Sequence, residues 1–190
     1  KATVAAAFND KPTYLRFARE KTPVITTKES PFEIGKANIL WDSDEPQVAI
    51  IACGSIMHNA LIAAQKLSEE GIKVLVVNNH TVKPMDTDTI ISAAKKAGAV
   101  VTIEEHQVMG GMGSAVAEAL AEAYHVPIEF VGVKNRFGQS GEPDELMKEY
   151  GIDTDAIIHA VKKVIERKRS LIILRIKRDP KMNLKLSIAK

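Results

Sequence analysis

The chain has 190 residues, of which 45% are hydrophobic and 26% charged, and this length accommodates one sizeable domain or one domain plus a fragment. A net charge of +2 is too small to indicate a nucleic-acid-binding surface, and a single cysteine excludes an intrachain disulfide or a multi-cysteine metal site. Because no apolar run approaches the roughly 18 residues of a membrane span and the first residues lack the zones of a signal peptide, we expect a cytoplasmic protein.

The first part of the chain does not follow the pattern of the rest. The stretch KATVAAAFN is typical of the end of a helix, and KPTYLRFAR predicts a strand. Residues 23–46, which contain three prolines, are predicted to be a long connector. A strand and half a helix cannot bury a core. These residues are therefore either an extension packed on the following domain or the tail of a preceding one.

Two arginines in the predicted strand, Arg16 and Arg19, are three positions apart. On a strand, such positions point to opposite faces, so the two side chains cannot do the same job. One of them is free to reach a phosphate from the end of the strand.

Residues 45–167 repeat one unit, in which a β-branched apolar run is followed by a turn and an amphipathic stretch. The apolar runs predict four strands: QVAIIACGS, KVLVVN, AVVTIEE and VPIEFVGV. Strands that alternate with helices pair in parallel, and strands this apolar are covered on both faces. The sequence therefore predicts an α/β fold, a doubly wound and mainly parallel sheet covered by helices. Cys53, in the first of these runs, is expected to be a buried small hydrophobe rather than a reactive thiol.

Capping residues mark the ends of several predicted helices. Asp86 or Thr87 can cap the helix that ends at Gly98, and Asp153 or Thr154 can cap the helix that follows a short one starting near Pro143. His58 stands at the start of the first helix of the repeat, where a capping or surface role is more typical than ligand binding.

The stretch EEHQVMGGMGSA, residues 104–115, joins the third predicted strand to a helix. Its G-G-x-G spacing does not match a dinucleotide fingerprint, but Gly110, Gly111 and Gly113 permit positive φ and close approach of the backbone. The amides around Ser114, at the start of the helix, would attract an anion such as a carboxylate or a phosphate. Two interpretations of the residues before these glycines remain open. Glu104, Glu105 and His106 form either a structural network at the sheet edge or a catalytic group.

A second loop, NRFGQSG, is expected at the same edge of the sheet. Arg136 in this loop can clamp an anion bidentately, or it can be pinned to carbonyls or to a neighbouring carboxylate. No His, Cys, Asp and Glu spacing in the chain matches a metal site.

Residues 169–190 alternate apolar and polar positions around KRDPK. This pattern indicates a β-hairpin, or an exposed arm that pairs with something else.

Three ordered motifs, PTYLRFAREKTPVI, EEHQVMGGMGSAVAEAL and RFGQSGEPDELMKEYGI, together resemble the C-terminal part of transketolases, in particular the short second subunit of split transketolases. The resemblance covers about residues 1–168, and the tail beyond it departs from the family pattern. Related domains occur in 1-deoxyxylulose-5-phosphate synthases and in the β subunits of 2-oxoacid dehydrogenases. The runs FAREK and RFGQSG favour transketolase over the synthase.

The resemblance implies an enzyme that transfers a two-carbon ketol unit between sugar phosphates. It uses thiamine diphosphate and a divalent metal, Mg²⁺ or Ca²⁺, bound between a diphosphate-binding and a pyrimidine-binding domain at a dimer interface. Residues 1–22 would be a remnant of the pyrimidine-binding domain and residues 47–168 the C-terminal domain. The chain would bind no cofactor and be inactive alone, and would need those domains, from the same enzyme, as partners.

One substrate contact follows from the resemblance. Arg19 stands where the family has an arginine that holds the phosphate of the sugar phosphate, and Ala18 replaces a serine found in some members. The glycine loop of residues 104–115 would lie away from the thiazolium and would serve structure and interfaces. The alternative is a free-standing regulatory or interaction domain that binds an anion through Arg136 and the amides from Gly111 to Ser114.

Overall fold

The computed structural model describes residues 1–178, with side chains described as far as Leu174. Five strands form one sheet in the order β1-β3-β2-β4-β5, and helices cover both of its faces. The strands are β1 (Asn38–Asp42), β2 (Val48–Cys53), β3 (Val74–Asn78), β4 (Val100–Gln107) and β5 (Ile128–Val133). The helices are α1 (Ala2–Ala7), α2 (Met57–Glu69), α3 (Thr87–Ala97), α4 (Met112–Ala123), α5 (Pro143–Glu149) and α6 (Thr154–Arg178). The predicted doubly wound, mainly parallel α/β fold is confirmed.

The central strands are uniformly apolar because helices cover them on both sides. In β2, every residue from Val48 to Ala52 is buried. This strand pairs in parallel with β3 on one side and with β4 on the other. Parallel strands need crossover connections, and the helices that follow each strand supply them. All four strands predicted from apolar runs are present.

Two core layers lie on the two faces of the sheet. On one face, α2 and α6 pack against the strands through residues such as Leu67 and Ile157. On the other face, α3 and α4 contribute Ile90 and Leu120. Many of the helix residues in these layers are alanine, and small side chains let a helix lie close to the sheet.

The predicted helix caps are confirmed. The Asp86 carboxylate accepts a hydrogen bond from the Thr89 amide at 3.1 Å, and Gly98 ends α3 with a φ of +68°. Asp153 Oδ1 accepts from the Ala156 amide at 2.9 Å, in the first turn of α6. These contacts satisfy backbone groups that a helix end otherwise leaves unpaired.

Strand β1 was not expected from the sequence, and it lies inside the predicted connector of residues 23–46. The strand pairs antiparallel with β3 and forms one edge of the sheet. Its residues are half-buried or exposed, and Asp42 at its end forms an ion pair with Lys96 at a distance of 2.6 Å. Such a short edge strand between proline-containing segments has a weak local pattern, and its pairing partner is distant in the sequence.

The predicted strand KPTYLRFAR is wrong. Helix α1 is present as expected, but residues 12–18 have no regular secondary structure and pair with no strand that the structure describes. The two edges of the sheet are β1 and β5, and neither pairs with this segment. A β-branched and aromatic composition favours a strand only where another strand can complete its hydrogen bonds.

The predicted hairpin of residues 169–190 is also wrong in its first half, because α6 continues through Arg178. From Thr154 onward the chain has no proline before Pro180 and no glycine, so nothing stops the helix. The side chains of residues 171–174 on this extension are exposed. Residues 179–190, the second half of the expected hairpin, lie outside the described residues. Within residues 1–178, no helix is both long enough and apolar enough to cross a membrane.

Cys53 ends β2 and packs partly against the core layer of α3 and α4. Burial, reinforced by the nearby Glu104 carboxyl and opposed by Arg16, raises the pKa of the Cys53 thiol to about 11. We therefore expect the folded protein at pH 7.5 to react slowly with a disulfide reagent such as 5,5′-dithiobis(2-nitrobenzoate), because less than about one thiol in a thousand is ionised. Reaction should become fast in denaturant. Equal rates for the folded protein and a free thiol would contradict this assignment.

Candidate functional site at the carboxyl edge of the sheet

The glycine turn, residues 108–113, connects β4 to α4, and each of its last four amides has an acceptor within the protein. The Gly110 amide donates to Ser114 Oγ at 3.0 Å, and the Gly111 amide donates to the Val108 carbonyl at 3.1 Å. The Met112 and Gly113 amides donate to the two oxygens of the Glu104 carboxylate, each at 2.8 Å. The anion that the start of α4 attracts is therefore a side chain of this same chain.

Glu104 is 2% exposed and lies at the end of the buried part of β4. Burial raises the pKa of its carboxyl above the ordinary value, although the two amide hydrogen bonds and nearby His106 oppose that shift. His106 Nδ1 lies 3.8 Å from Glu104 Oε2 and 2.8 Å from the Gln107 carbonyl oxygen. A carbonyl only accepts, so Nδ1 of His106 carries the proton in this arrangement.

The turn requires glycine for two different physical reasons. Gly110 adopts a φ of +78°, which side chains disfavour. A Cβ at Gly111 would overlap the Glu104 carboxylate and the Gln107 carbonyl, and a Cβ at Gly113 would lie 2.6 Å from Thr102 Oγ1. The glycine pattern thus makes room for the Glu104 side chain rather than for a nucleotide.

Glu105 connects three segments at the same edge. Its carboxylate accepts a hydrogen bond from the Ser55 hydroxyl, in the turn between β2 and α2. Its carbonyl accepts from Arg16 Nη1 at 3.2 Å, in the segment before the domain. Ser55 was not among the residues predicted from the sequence to lie in this site. Its position directly after the strand that neighbours β4 was the available signal, since the ends of adjacent parallel strands meet at one edge.

Arg136 is engaged by its own loop and by α5. Its Nη2 lies 2.6 Å from Glu149 Oε1, its Nη1 donates to the Glu149 carbonyl at 3.2 Å, and its guanidinium lies over the Tyr150 ring. The Tyr150 hydroxyl donates to the Phe137 carbonyl at 2.7 Å. Of the two interpretations left open by the sequence, this geometry is that of an arginine held by a carboxylate and a carbonyl.

The loop that contains Arg136 lies beside the glycine turn. The Asn135 amide donates to Gln107 Oε1 at 2.9 Å, which links the ends of β5 and β4. The structure therefore brings Glu104, Glu105, His106 and the turn glycines together with this loop.

Arg19 stands apart from this network. Its side chain is 96% exposed, and its contact is with neighbouring Glu20 at 4.0 Å. His58, in the first turn of α2, is half-buried. Arg16 and Arg19 thus have different environments, one hydrogen-bonded to the domain and the other in solvent.

The groups at this edge do not fit a diphosphate or its metal. The turn amides that could cradle a phosphate already have protein acceptors, and Glu104 would repel a second anion. In the described part of the chain, no group of three or more His, Cys, Asp and Glu side chains could hold a metal ion. The alternative of a free-standing anion-binding domain gains no support from this geometry, because Arg136 is engaged as well.

Removing the Glu104 carboxylate should destabilise the fold. In a Glu104→Ala variant, two buried amides lose their acceptors, so we expect the free energy of unfolding to fall by about 2–4 kcal/mol in urea titrations. Glu118→Ala, at an exposed position of the same helix, is the control and should change it by less than about 0.5 kcal/mol. Equal stability of the two variants would show that the turn does not depend on Glu104.

Comparison with known proteins identifies the family of this domain. The family model described as "Transketolase, C-terminal domain" matches residues 35–157. The 6-deoxy-6-sulfo-D-fructose transketolase subunit SqwH of Clostridium sp. (strain MSTE9) is 40% identical over 172 residues, which cover 88% of this chain and 53% of that protein. Human transketolase is 34% identical over 168 residues, which cover 88% of this chain and 27% of the human protein.

A solved structure agrees with the sequence comparison. The protein described as "Split gene transketolase, inactive beta4 tetramer" superposes with a TM-score of 0.75 at 39% identity, covering 79% of this chain and 48% of that chain. The chain spans about half of the SqwH subunit and of the split gene transketolase chain, and about a quarter of the human enzyme. On these matches, the chain belongs to the transketolase C-terminal domain family.

Proposed function

We propose that this chain is the C-terminal region of a transketolase that transfers a two-carbon ketol unit between sugar phosphates. The supporting observation is the family match across the α/β domain, with the Arg19 segment hydrogen-bonded to the carboxyl edge of that same domain. In this proposal the domain has a structural role. Its edge contacts are internal, and its task is to hold the preceding segment and to contribute to subunit contacts.

Thiamine diphosphate supplies the carbanion chemistry of such an enzyme when it is bound. Since the described residues do not fit its diphosphate or its metal, we assign that site to polypeptide that carries the diphosphate-binding and pyrimidine-binding domains. The proposed contribution of this chain is to substrate binding and to assembly.

The proposed substrate contact is Arg19. Its guanidinium is free in solvent except for Glu20, so it can form charge-assisted hydrogen bonds with a phosphate. Ala18 offers no hydroxyl beside it, so the arginine would supply this part of the phosphate contact without a neighbouring serine.

The segment that carries Arg19 also supports a protein partner. Phe8, Tyr14 and Phe17 expose 84%, 86% and 69% of their surfaces, and grouped exposed aromatic residues are typical of interfaces. One relative is named a subunit, and another is described as a β4 tetramer that is inactive. We propose that this chain pairs with a complementary transketolase polypeptide through this segment, that the assembled enzyme is a homodimer of such pairs, and that the chain is inactive alone.

Reconstitution tests the proposal. The chain is mixed with a separately produced polypeptide that carries the diphosphate-binding and pyrimidine-binding domains, and ketol transfer from xylulose 5-phosphate to an aldose phosphate is measured. We expect transfer with the mixture and none with either component alone. Transfer by the chain alone, or no transfer with a mixture that demonstrably forms a complex, would contradict it.

Within the reconstituted enzyme, Arg19→Ala should raise the KM for xylulose 5-phosphate about 10- to 100-fold, because a charge-assisted contact contributes roughly 1.5–3 kcal/mol. Lys11→Ala removes an exposed positive charge from the same segment and is the matched control, with an unchanged KM expected. Equal KM values for the Arg19 variant and the unsubstituted chain would refute the assignment.

A further inference from the structure

The segment of residues 8–24 is weakly attached to the α/β domain. All of its residues except Asn9 and Leu15 are exposed. The other hydrogen bonds of the segment, such as that from Asn9 Nδ2 to Thr13 Oγ1, stay within it or reach α1. Within residues 1–178, the bond from Arg16 to the Glu105 carbonyl, at 3.2 Å, is the only hydrogen bond that joins this segment to the sheet edge.

The Glu105 carbonyl, which accepts this bond, lies in a well-held part of the domain. Pairing of β4 with β5 is interrupted between Ile103 and Gln107, so Glu105 lies outside the regular ladder, where its carbonyl can accept from a side chain. The Glu105 carboxylate is held by Ser55, and the preceding residue, Glu104, is held by the start of α4. Arg16 therefore contacts a residue whose own side chain and whose preceding residue are both held by the domain.

Arg19 follows Arg16 by three residues, a span of at most about 11 Å even for a fully extended chain. Fixing Arg16 therefore restricts where the Arg19 guanidinium can reach. We propose that Arg16 is a positioning residue, which holds the segment to the Glu105 carbonyl so that Arg19 is presented to the phosphate of the substrate. This proposal rests on the function proposed above, but the attachment itself can be tested without it.

The attachment is tested by a distance measurement on the whole chain. Spin labels are placed by Thr22→Cys in the segment and by Glu118→Cys on exposed α4, in a Cys53→Ala background, and the distance distribution is recorded by pulsed electron resonance. We expect a narrow distribution with Arg16 and a distribution at least twofold broader with Arg16→Ala. Arg16→Lys, which keeps the charge but not the guanidinium, should lie between them. An identical distribution in all three chains would overturn the proposal.

The consequence for substrate binding is tested in the reconstituted enzyme. We expect Arg16→Ala to raise the KM for xylulose 5-phosphate about 3- to 10-fold, with kcat and the KM for unphosphorylated xylulose unchanged. In an Arg19→Ala background, the same substitution should have no further effect on KM, because the group that Arg16 positions is gone. A purely structural role would instead change all parameters together, and a KM effect that persists without Arg19 would overturn the proposal.

Failure of the proposed function and failure of the attachment by Arg16 give different experimental results. Absence of ketol transfer with every reconstituted chain would overturn the proposed function and with it the role of Arg19. The distance distributions would still decide whether Arg16 holds the segment. Broadening with Arg16→Ala would then support the attachment alone.

Discussion

The pairing of the Glu104 carboxylate with the first amides of α4 organises the carboxyl edge of this domain. Burial opposes an ionised carboxyl, while two amide donors and the positive end of the α4 dipole favour it. The side chain needs space, and the absence of a Cβ at Gly111 and Gly113 provides it. From the same strand end, Glu105 reaches Ser55 and Arg16, so one acidic pair connects two turns, a helix and the preceding segment.

This arrangement is the basis of our proposal that the carboxyl edge of the sheet, which commonly binds ligands in such folds, has a structural role in this chain. In doubly wound folds, ligands lie outside the carboxyl ends of the strands, where amides and side chains are free. In this chain the corresponding amides bind Glu104, and the arginine of the neighbouring loop binds Glu149. The segment before the domain, by contrast, carries Arg19 and several aromatic side chains that are largely exposed. The proposed division of labour follows from that contrast.

The fold could be predicted where the determining interactions are local. Apolar runs such as VAIIAC are recognisable without a partner, and caps such as Asp86 act within four residues. The edge strand β1 could not be predicted from the sequence because its pairing with β3 is non-local and its own burial is partial. At the end of α6, a weak alternation of apolar residues predicts a strand, but the chain has no helix stop before Pro180 and the helix continues through Arg178.

The site was predictable only in part for the same reason. The residue types around the glycine turn indicated an anion at the helix start, but they could not identify it as Glu104 rather than a phosphate. The bond between Arg16 and Glu105 joins residues 89 positions apart, which no local pattern reveals.

The central claim is that the first amides of α4 bind Glu104 and not an external anion. Hydrogen exchange of the Met112 and Gly113 amides, followed by nuclear magnetic resonance with and without inorganic phosphate, tests this claim most directly. Slow exchange and unchanged shifts in phosphate are predicted, whereas fast exchange that phosphate slows saturably would contradict it.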